Sequence, residues 1–464
     1  MKPRRANEGR EASQRGGLIE SSGLRTRRTA LEVLVRVARE RAYADVLLGH
    51  RIIGFAAPDR RLITQIVLGT IAWQERLDYE LERVSSRALD TLAPEILAIL
   101  RMALYQLRIL TRIPPHAAVD TAVTLARECA GDGLARFVNA VLRNALRNPV
   151  DRPVRDRDEL GYLAVVHSHP RWLVAKFIEW FGSRDTEAML AANNQAAPNV
   201  LRLNLARGEA GELVARLERE GFEIASRGRF PETVVLGSAP LFDAHAFRDG
   251  ICFPQAEASQ LVARMLAPAR DALVVDCAAA PGGKAAHLAE LIGPGGRIVA
   301  LDFSLAGLKK ARGLATRLGH RNVLVARADT AGALPLRPQS FGYVILDAPC
   351  TGTGTMREHP EIRWRLRPGD FARMAVLQTR MLDQAAALTR PQGVIVYSVC
   401  SLAPQEGEGV VEDFLARHPQ FELDKQTALR ERLEGLIDIN GYLRTRPDRD
   451  GLDGFFAARM IRRA

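Results

Sequence analysis

The chain has 464 residues, room for about three domains, and its 47% hydrophobic and 26% charged residues are the composition of a globular protein. No run of about 20 apolar residues occurs, so the sequence excludes a membrane-spanning helix. Lys and Arg outnumber Asp and Glu by 65 to 54, for a net charge of +11 and a pI near 9.8. That excess favours a polyanionic partner, although an Arg-rich solvated surface has the same composition.

Residues 1–23, MKPRRANEGREASQRGGLIESSG, are basic and polar and lack the apolar core of a secretory signal, so a disordered arm on a cytoplasmic protein is expected. Five cysteines are widely spaced with no CxxC pair, which argues against a zinc site and, in a cytosolic chain, against disulfides. No metal is expected.

Residues 24–150 read as an all-α bundle. Apolar faces recur at Ala30, Leu31, Leu34, Val37 and Ala38, at Leu62, Ile63, Ile66, Val67 and Ile71, at Leu97, Leu100, Leu104 and Leu107, and at Phe137, Val138, Val141 and Ala145. Breaks fall at Ala57-Pro58, Ala93-Pro94, Ile113-Pro114-Pro115 and Gly131-Asp132-Gly133. Arg25, Arg27, Arg28, Arg36, Arg39 and Arg41 surround the first helix, either as an RNA-contacting surface or as a solvated polar face. A polar, Pro-containing linker follows from Pro149 to Arg157. Residues 165–250 read as α, β, α, β, β: a helix to Phe181 with Trp172, Leu173, Phe177 and Trp180 as core candidates, a strand at 199–205, a helix at 208–220, and strands at 223–225 and 233–236. That order suggests a small ferredoxin-like or RNA-recognition-like module without an aromatic base-stacking motif.

Residues 251–464 change rhythm. Strands ALVVD (272–276), RIVALD (297–302), NVLVAR (322–327), GYVILD (342–347) and GVIVYS (393–398) alternate with helices at 284–291, 305–318 and 369–388. Short apolar strands separated by helices predict a parallel, doubly wound sheet. Strands near 441–444 and 455–461 would add an antiparallel edge.

The turn after the first of these strands runs Asp276-Cys277-Ala278-Ala279-Ala280-Pro281-Gly282-Gly283-Lys284. Its small residues let backbone approach a ligand, yet it is neither GxGxxG nor GK[ST]. Asp302 ends the next strand, nineteen residues after Gly283, where a carboxylate can accept from both ribose hydroxyls; Asp329 follows the third strand, within reach of an adenine edge. These features point to a nucleoside cofactor without separating NAD from S-adenosylmethionine. A structural turn with two capping aspartates is the plainer alternative.

Two thiols at strand ends narrow the chemistry. Cys350 follows Asp347-Ala348-Pro349, and Cys400 ends the apolar run VIVYSVC. Cytosine C5 is a poor nucleophile until a thiolate adds to C6; methylation there needs a nucleophile, a group at N3 or the exocyclic amine, and a base. Asp347, Cys350 and Cys400 are the residues that can supply them. Cys277, Cys129 and Cys252 read as packing cysteines.

DCAAAPGGK, ALD, ARAD, LDAPCTGTGTMREHPEIRW and YSVCSLAPQEGE together resemble the RNA (cytosine-5) methyltransferases, and the helical N-terminal region resembles a NusB-type RNA-binding domain, a pairing similar to that of bacterial 16S rRNA methyltransferases. The resemblance runs from residue 24 to the end. It implies three parts: a NusB-like bundle (24–150), a small α/β module contacting RNA (165–250) and a Rossmann-like class I methyltransferase domain (251–464). It implies S-adenosylmethionine as cofactor, held by Ala278, Ala279, Ala280, Pro281, Gly282, Gly283, Lys284, Asp302, Asp329 and Asp347. It makes Cys400 the nucleophile, Cys350 the residue for proton removal and release, and Asp347 the aspartate at the methyl end; Lys284 orders the methionine end or the substrate. The implied partner is 16S rRNA with a flipped cytosine, and a monomer is expected. Two departures occur: the first-turn cysteine usually sits one residue later, where this chain has Ala278, and a PEEN segment is replaced by Pro404-Gln405-Glu406-Gly407.

DNA cytosine-5 methyltransferases would place the nucleophile at Cys350 and leave Cys400 without a role. N-methyltransferases would prefer Asp-Pro-Pro-Tyr. A tRNA or 23S rRNA substrate remains a possible variant of the same activity, and a non-catalytic RNA-binding protein would have no need of the two thiols.

Overall fold

A computed structural model describes residues 22–237, 244–424 and 433–464. The arm expected over residues 1–23 lies almost wholly outside the described residues. The chain divides into two units, residues 1–170 and 171–464. No described helix is long and apolar enough to cross a membrane.

The first unit consists of the helices Ser22–Glu40, Ala44–Arg51, Ala57–Ala72, Gln74–Val84, Pro94–Arg108, Pro115–Arg147 and Glu159–Val166, with one short 3-10 turn. The prolines that break the sequence pattern are helix starts. Pro58, Pro94 and Pro115 occupy first-turn positions, where a missing N–H costs no intrahelical bond. Gly131, at φ 77° and ψ −179°, kinks the longest helix. The buried faces follow the expected periodicity through Leu31, Leu34, Ile63, Ile66, Val67, Leu100, Leu104, Val138 and Val141. Gly69 sets one close approach, because a Cβ there would lie 2.0 Å from the Tyr105 ring. The sequence reading passes over Glu159–Val166, which buries Leu163 and Ala164. Behind it, the Ser168 hydroxyl accepts from the Glu75 N–H at 3.1 Å and caps Gln74–Val84.

Cys129 corrects an expectation: it is exposed, because the whole last turn before the Gly131 kink faces outward. The arginines of the first helix are largely committed within the unit. Arg27 is buried and donates to Gln106 at 2.8 Å, Arg25 lies over Phe55, and Arg28, Arg36 and Arg39 pair with Glu128, Glu40 and Glu95. Uncommitted positive charge sits elsewhere. Arg83, Arg87, Arg136, Arg143 and Arg147 are exposed and form no ion pair with a described residue, and Arg87 lies over the Phe137 ring.

The second unit begins with helices Arg171–Phe181 and Ser183–Ala192. Leu173 and Phe177 are fully buried, while Trp172 and Trp180 are half-buried against Phe371. Four strands, β1 (Asn199–Leu203), β2 (Ile224–Arg227), β3 (Thr233–Leu236) and β4 (Cys252–Pro254), form an antiparallel sheet in the order β2-β3-β1-β4. The helix Ala210–Arg219 buries Leu213 and Leu217 in the core of this sheet.

The larger sheet contains β5 (Leu273–Asp276), β6 (Arg297–Asp302), β7 (Val323–Arg327), β8 (Phe341–Asp347), β9 (Thr389–Val399), β10 (Phe421–Leu423), β11 (Leu443–Thr445) and β12 (Phe455–Arg462). Its order is β10-β12-β9-β8-β5-β6-β7, with β11 also on β12; β5 to β9 are parallel. Helices cover both faces: Asp370–Leu388 and Glu408–Arg417 on one side, Glu257–Leu266 and Gly283–Ile292 on the other. Burial on both faces explains why β8 and β9 read as unbroken apolar runs. The tail differs from expectation in one respect. β12 is an interior strand antiparallel to β9, and β10, which the sequence reading did not find, forms the edge.

Buried polar side chains fasten the small sheet to the large one. Arg202, on β1, is 1% exposed; it donates to the Gly283 carbonyl and to Glu290, both at 2.8 Å, and to Gln255. Asn204 donates to the carbonyls of Gly250 (2.9 Å) and Leu318 (2.8 Å). Glu232 receives Arg264 through two bonds of 2.7 and 2.6 Å and meets His287 at 3.2 Å. Burial pushes the Glu232 carboxyl up, but the hydrogen bonds from His287 and Arg264 outweigh it and hold it at about 2, below the ordinary 4.5. A folded value below the unfolded one means stabilisation that is complete above about pH 4.5 and lost as pH falls towards 2. Glu232→Gln is expected to cost about 2–3 kcal/mol at pH 7. The gap to wild type in urea midpoint should close as pH is lowered through that window; a gap independent of pH would mean that Glu232 acts through its shape alone.

Candidate active site

From β5 the chain steps outward to β6 and β7, then returns to β8 on the other side of β5. This reversal opens a crevice at the carboxyl ends of the strands, where doubly wound sheets bind ligands. Asp276, Asp302 and Asp347 end β5, β6 and β8, Asp329 follows β7 by two residues, and Cys400 follows β9.

On one side of the crevice, Ala278 to Lys284 form the turn into Gly283–Ile292. The Ala279 N–H donates to the Leu301 carbonyl at 2.8 Å and the Ala280 N–H to Asp302 Oδ2 at 3.0 Å, which ties this turn to the end of β6. Asp302 Oδ1 accepts from the Ser304 N–H at 2.8 Å, and Asp329 Oδ1 from the Ala331 N–H at 2.9 Å. Both aspartates therefore cap turns, and Asp329 stays exposed while Asp302 is half-buried. Gly282 has φ 108°, and a Cβ there would lie 2.6 Å from the Ala311 Cα; only glycine permits this turn against the next helix.

On the other side the two cysteines meet. β8 and β9 pair with Asp347 opposite Ser398, and Cys350 Sγ lies 3.2 Å from Cys400 Sγ. Both residues are half-buried. The hydrogen bond with Cys400, then burial, then the charges of Cys400 and Glu406 raise the Cys350 thiol well above its ordinary range. Cys350 is thereby kept protonated. Asp347 Oδ2 accepts from Lys284 Nζ at 2.6 Å and Oδ1 from the Ser398 hydroxyl at 2.7 Å. Lys284 also donates to Ser259 at 2.9 Å and lies over the Phe455 ring. Lys284 thus joins the glycine turn to the thiol side of the crevice.

Three residues here were passed over in the sequence. Asp276 is 1% exposed; burial, followed by the neighbouring charges of Asp347 and Asp302, drives its carboxyl up to about 7 against the opposing Ala278 N–H and Lys284. Its Oδ2 has no hydrogen-bond partner among the described residues. Phe303, directly after Asp302, is 70% exposed. Glu406 is fully buried beside both cysteine loops. The first two had a readable signal, an acid ending the first strand and an aromatic following the second strand's acid. A turn of alanines, Pro281 and glycines before Lys284, two outward carboxylates, an exposed ring and an unpartnered buried carboxyl oxygen fit a nucleoside cofactor.

Residues 263–461 match the family described as 16S rRNA methyltransferase RsmB/F, residues 24–147 the NusB family, and residues 169–241 the ferredoxin-like domain of RsmF/B-like methyltransferases. A probable ribosomal RNA small subunit methyltransferase B from Bacillus subtilis is 33% identical over 439 residues, spanning 93% of this chain and 97% of its own length. The chain belongs to the RsmB/F methyltransferase family. A second probable ribosomal RNA small subunit methyltransferase B, from Synechocystis, is 30% identical over 440 residues, 94% of this chain and 98% of that one. The crystal structure of PH0851 superposes with a TM-score of 0.82 at 26% identity, covering 95% of this chain and 99% of that one. This RsmB/F-family chain is accordingly an enzyme with a helical NusB domain, a ferredoxin-like module and a Rossmann-like methyltransferase domain.

The five thiols should differ sharply in reactivity. Burial holds Cys252 up at about 12 and drives Cys277 higher still. Iodoacetamide at pH 8, read by peptide mass spectrometry, is expected to label Cys129 in the native protein and to reach Cys252 and Cys277 only after denaturation. Native labelling of Cys277 would show that the turn after β5 opens freely.

Proposed function

We propose that this enzyme transfers a methyl group from S-adenosylmethionine to C5 of a cytosine in 16S rRNA, through a covalent bond between Cys400 Sγ and C6 of the base. The 3.2 Å approach of Cys350 to Cys400 at the carboxyl edge of the sheet carries this reading. The names of the curated relatives support the substrate class.

The cofactor would supply an electrophilic methyl group. Asp302 and Asp329 would hold its ribose and adenine, with Phe303 offering a ring face to the base, while Ala278 to Gly283 let the backbone come close. Asp276 and Asp347 lie at the methionine end, and Lys284 fixes Asp347 between the cofactor turn and the target base. Cys400 adds to C6 as a thiolate, which makes C5 enamine-like and able to take the methyl group. Asp347 would accept from the exocyclic amine of the cytosine, while the Lys284 ammonium beside it offsets the charge that builds at N3. With the adduct formed, the Cys350 thiol gives its proton to water, and the resulting thiolate takes the C5 proton, so that the Cys400–C6 bond breaks and the aromatic ring returns. The base reaches both thiols only when flipped from its stack.

Cys400→Ser is expected to abolish methylation of 16S rRNA, assayed by methyl transfer from labelled cofactor; a serine variant that still methylates would remove Cys400 as nucleophile. Cys350→Ala is expected to form the adduct and fail to release it, leaving a protein–RNA band on denaturing gels. Without that band the two-cysteine scheme does not hold.

The rest of the RNA would be held through its phosphates. The exposed Arg136, Arg143 and Arg147 on Pro115–Arg147, with Arg83 and Arg87 beside them, form one basic surface of the first unit without ion pairs to described residues. Replacing Arg136, Arg143 and Arg147 together by alanine is expected to weaken RNA binding. The slope of log affinity against log salt should become shallower by about 2–3, with cofactor affinity unchanged. An unaltered salt slope would place the RNA elsewhere.

A further inference from the structure

Each cysteine of the pair is followed by a hydroxyl residue, Thr351 after Cys350 and Ser401 after Cys400. Both hydroxyls donate to the same carboxylate oxygen, Glu406 Oε1, the Ser401 bond measuring 2.7 Å. The other oxygen, Oε2, accepts from the Thr351 N–H and from Gln378 Nε2, each at 2.9 Å. Gln378 donates from that same nitrogen to the Pro349 carbonyl, at 2.9 Å, one residue before Cys350. The Glu406 backbone is itself fixed, since its carbonyl accepts from the Tyr397 hydroxyl at 2.6 Å on β9. Thr353 completes the join: its hydroxyl meets Ser401 at 3.1 Å and accepts the Leu402 N–H at 2.8 Å. Glu406, Gln378, Thr353, Thr351 and Ser401 are all buried.

We propose that Glu406 is the positioning residue of the thiol pair, a buried carboxylate that locks the loop after β8 to the loop after β9 and so fixes the separation of the two sulfurs. The strands alone do not do this. Cys350 lies three residues beyond the end of β8, and Cys400 one residue beyond β9, so neither sulfur is placed by ladder hydrogen bonds. A carboxylate is expensive to bury unless its lone pairs are filled, and here four donors fill them. Three of the four come from the residues adjoining the thiols, two from Thr351 and one from Ser401. Under the proposed reaction, one base must be attacked by Cys400 and then deprotonated through Cys350, and an error of about 1 Å in either sulfur is enough to cost about 100-fold in rate. The departure of this chain at Gln405 and Gly407 leaves the carboxylate in place.

This inference rests on the proposed two-cysteine chemistry, and its test separates the two. Single-turnover methyl transfer and cofactor affinity are measured on the full-length enzyme, together with the rate at which diamide oxidises the pair to a Cys350–Cys400 disulfide, itself reduced to the hydrazine. Glu406→Ala is expected to slow methyl transfer by about 100-fold with cofactor affinity kept, and to slow disulfide formation in parallel. Glu406→Gln is expected to recover most of the rate. Its amide oxygen can face the two N–H donors while its NH2 donates to the two hydroxyls, which rotate to accept. Thr351→Val, which removes one donor and keeps the carboxylate, should lie between. Wild-type rates of both methyl transfer and disulfide formation in Glu406→Ala overturn the proposal. So does a loss of cofactor affinity in proportion to rate, because that marks general collapse. A wild-type enzyme that does not methylate RNA counts against the functional reading; the disulfide rates then still decide whether Glu406 sets the sulfur separation.

Discussion

The parallel pairing of β8 with β9, with Asp347 opposite Ser398, is the constraint on which the geometry of the candidate site depends. The Ser398 hydroxyl holds Asp347, and the Ala348 N–H continues the ladder to the Ser398 carbonyl at 2.8 Å. A slip of one residue would turn every side chain of one strand to the opposite face. It would move Asp347 away from Lys284 and separate the cysteine loops. Burial on both sides of the sheet forbids that slip, because β8 and β9 carry apolar side chains towards both helical layers. The reactive edge is thus specified by the core beneath it.

Polar burial then does what apolar packing cannot. Arg202, Glu232 and Glu406 are each almost or wholly inaccessible, and each joins segments far apart in the chain: β1 to the turn after β5, the start of β3 to the helices Glu257–Leu266 and Gly283–Ile292, and one cysteine loop to the other. Such groups add little net stability over apolar replacements of the same shape, yet removing one partner is costly. Their effect is to admit one arrangement. The Gly283 carbonyl, held by Arg202, begins the helix that carries Lys284, so the ferredoxin-like module takes part in shaping the turn after β5.

Most of this architecture was legible in the sequence where a local rule decided it. The strands of the parallel sheet are continuous apolar runs between turn residues, and β6 and the helix Leu305–Leu318 fall at the expected residues. The proline breaks of the first unit were visible because proline constrains its own backbone. What was not legible is convergence. Glu406 looked like part of a variant tail motif, since its donors come from residues 351, 378 and 401. Cys129 looked buried because helical periodicity does not report that the last turn before a kink has no neighbour to pack on. β10 was too short to stand out, and β12 looked like an edge because pairing with β9 comes from beyond its own segment. The arginines of the first helix suggested a free basic surface, but their partners Glu95 and Glu128 lie on other helices.

The asymmetry between the two thiols follows from the same geometry and gives the proposed reaction its direction. Cys350 is held protonated chiefly by its hydrogen bond with Cys400, with burial and the Cys400 charge reinforcing it. While Cys400 is free, attack on the base in the proposed reaction therefore falls to Cys400. Once Cys400 Sγ is bonded to C6 it is a thioether, a weak acceptor with no charge. Two of the causes that raise the Cys350 thiol then disappear, and its proton becomes easier to lose. Having passed that proton to water, Cys350 is a competent base at the stage when the C5 proton must be taken, and by taking it returns to its protonated state as Cys400 is released. The state of Cys350 follows that of Cys400 because its first cause is the hydrogen bond with that sulfur, and the 3.2 Å separation is what makes the dependence strong.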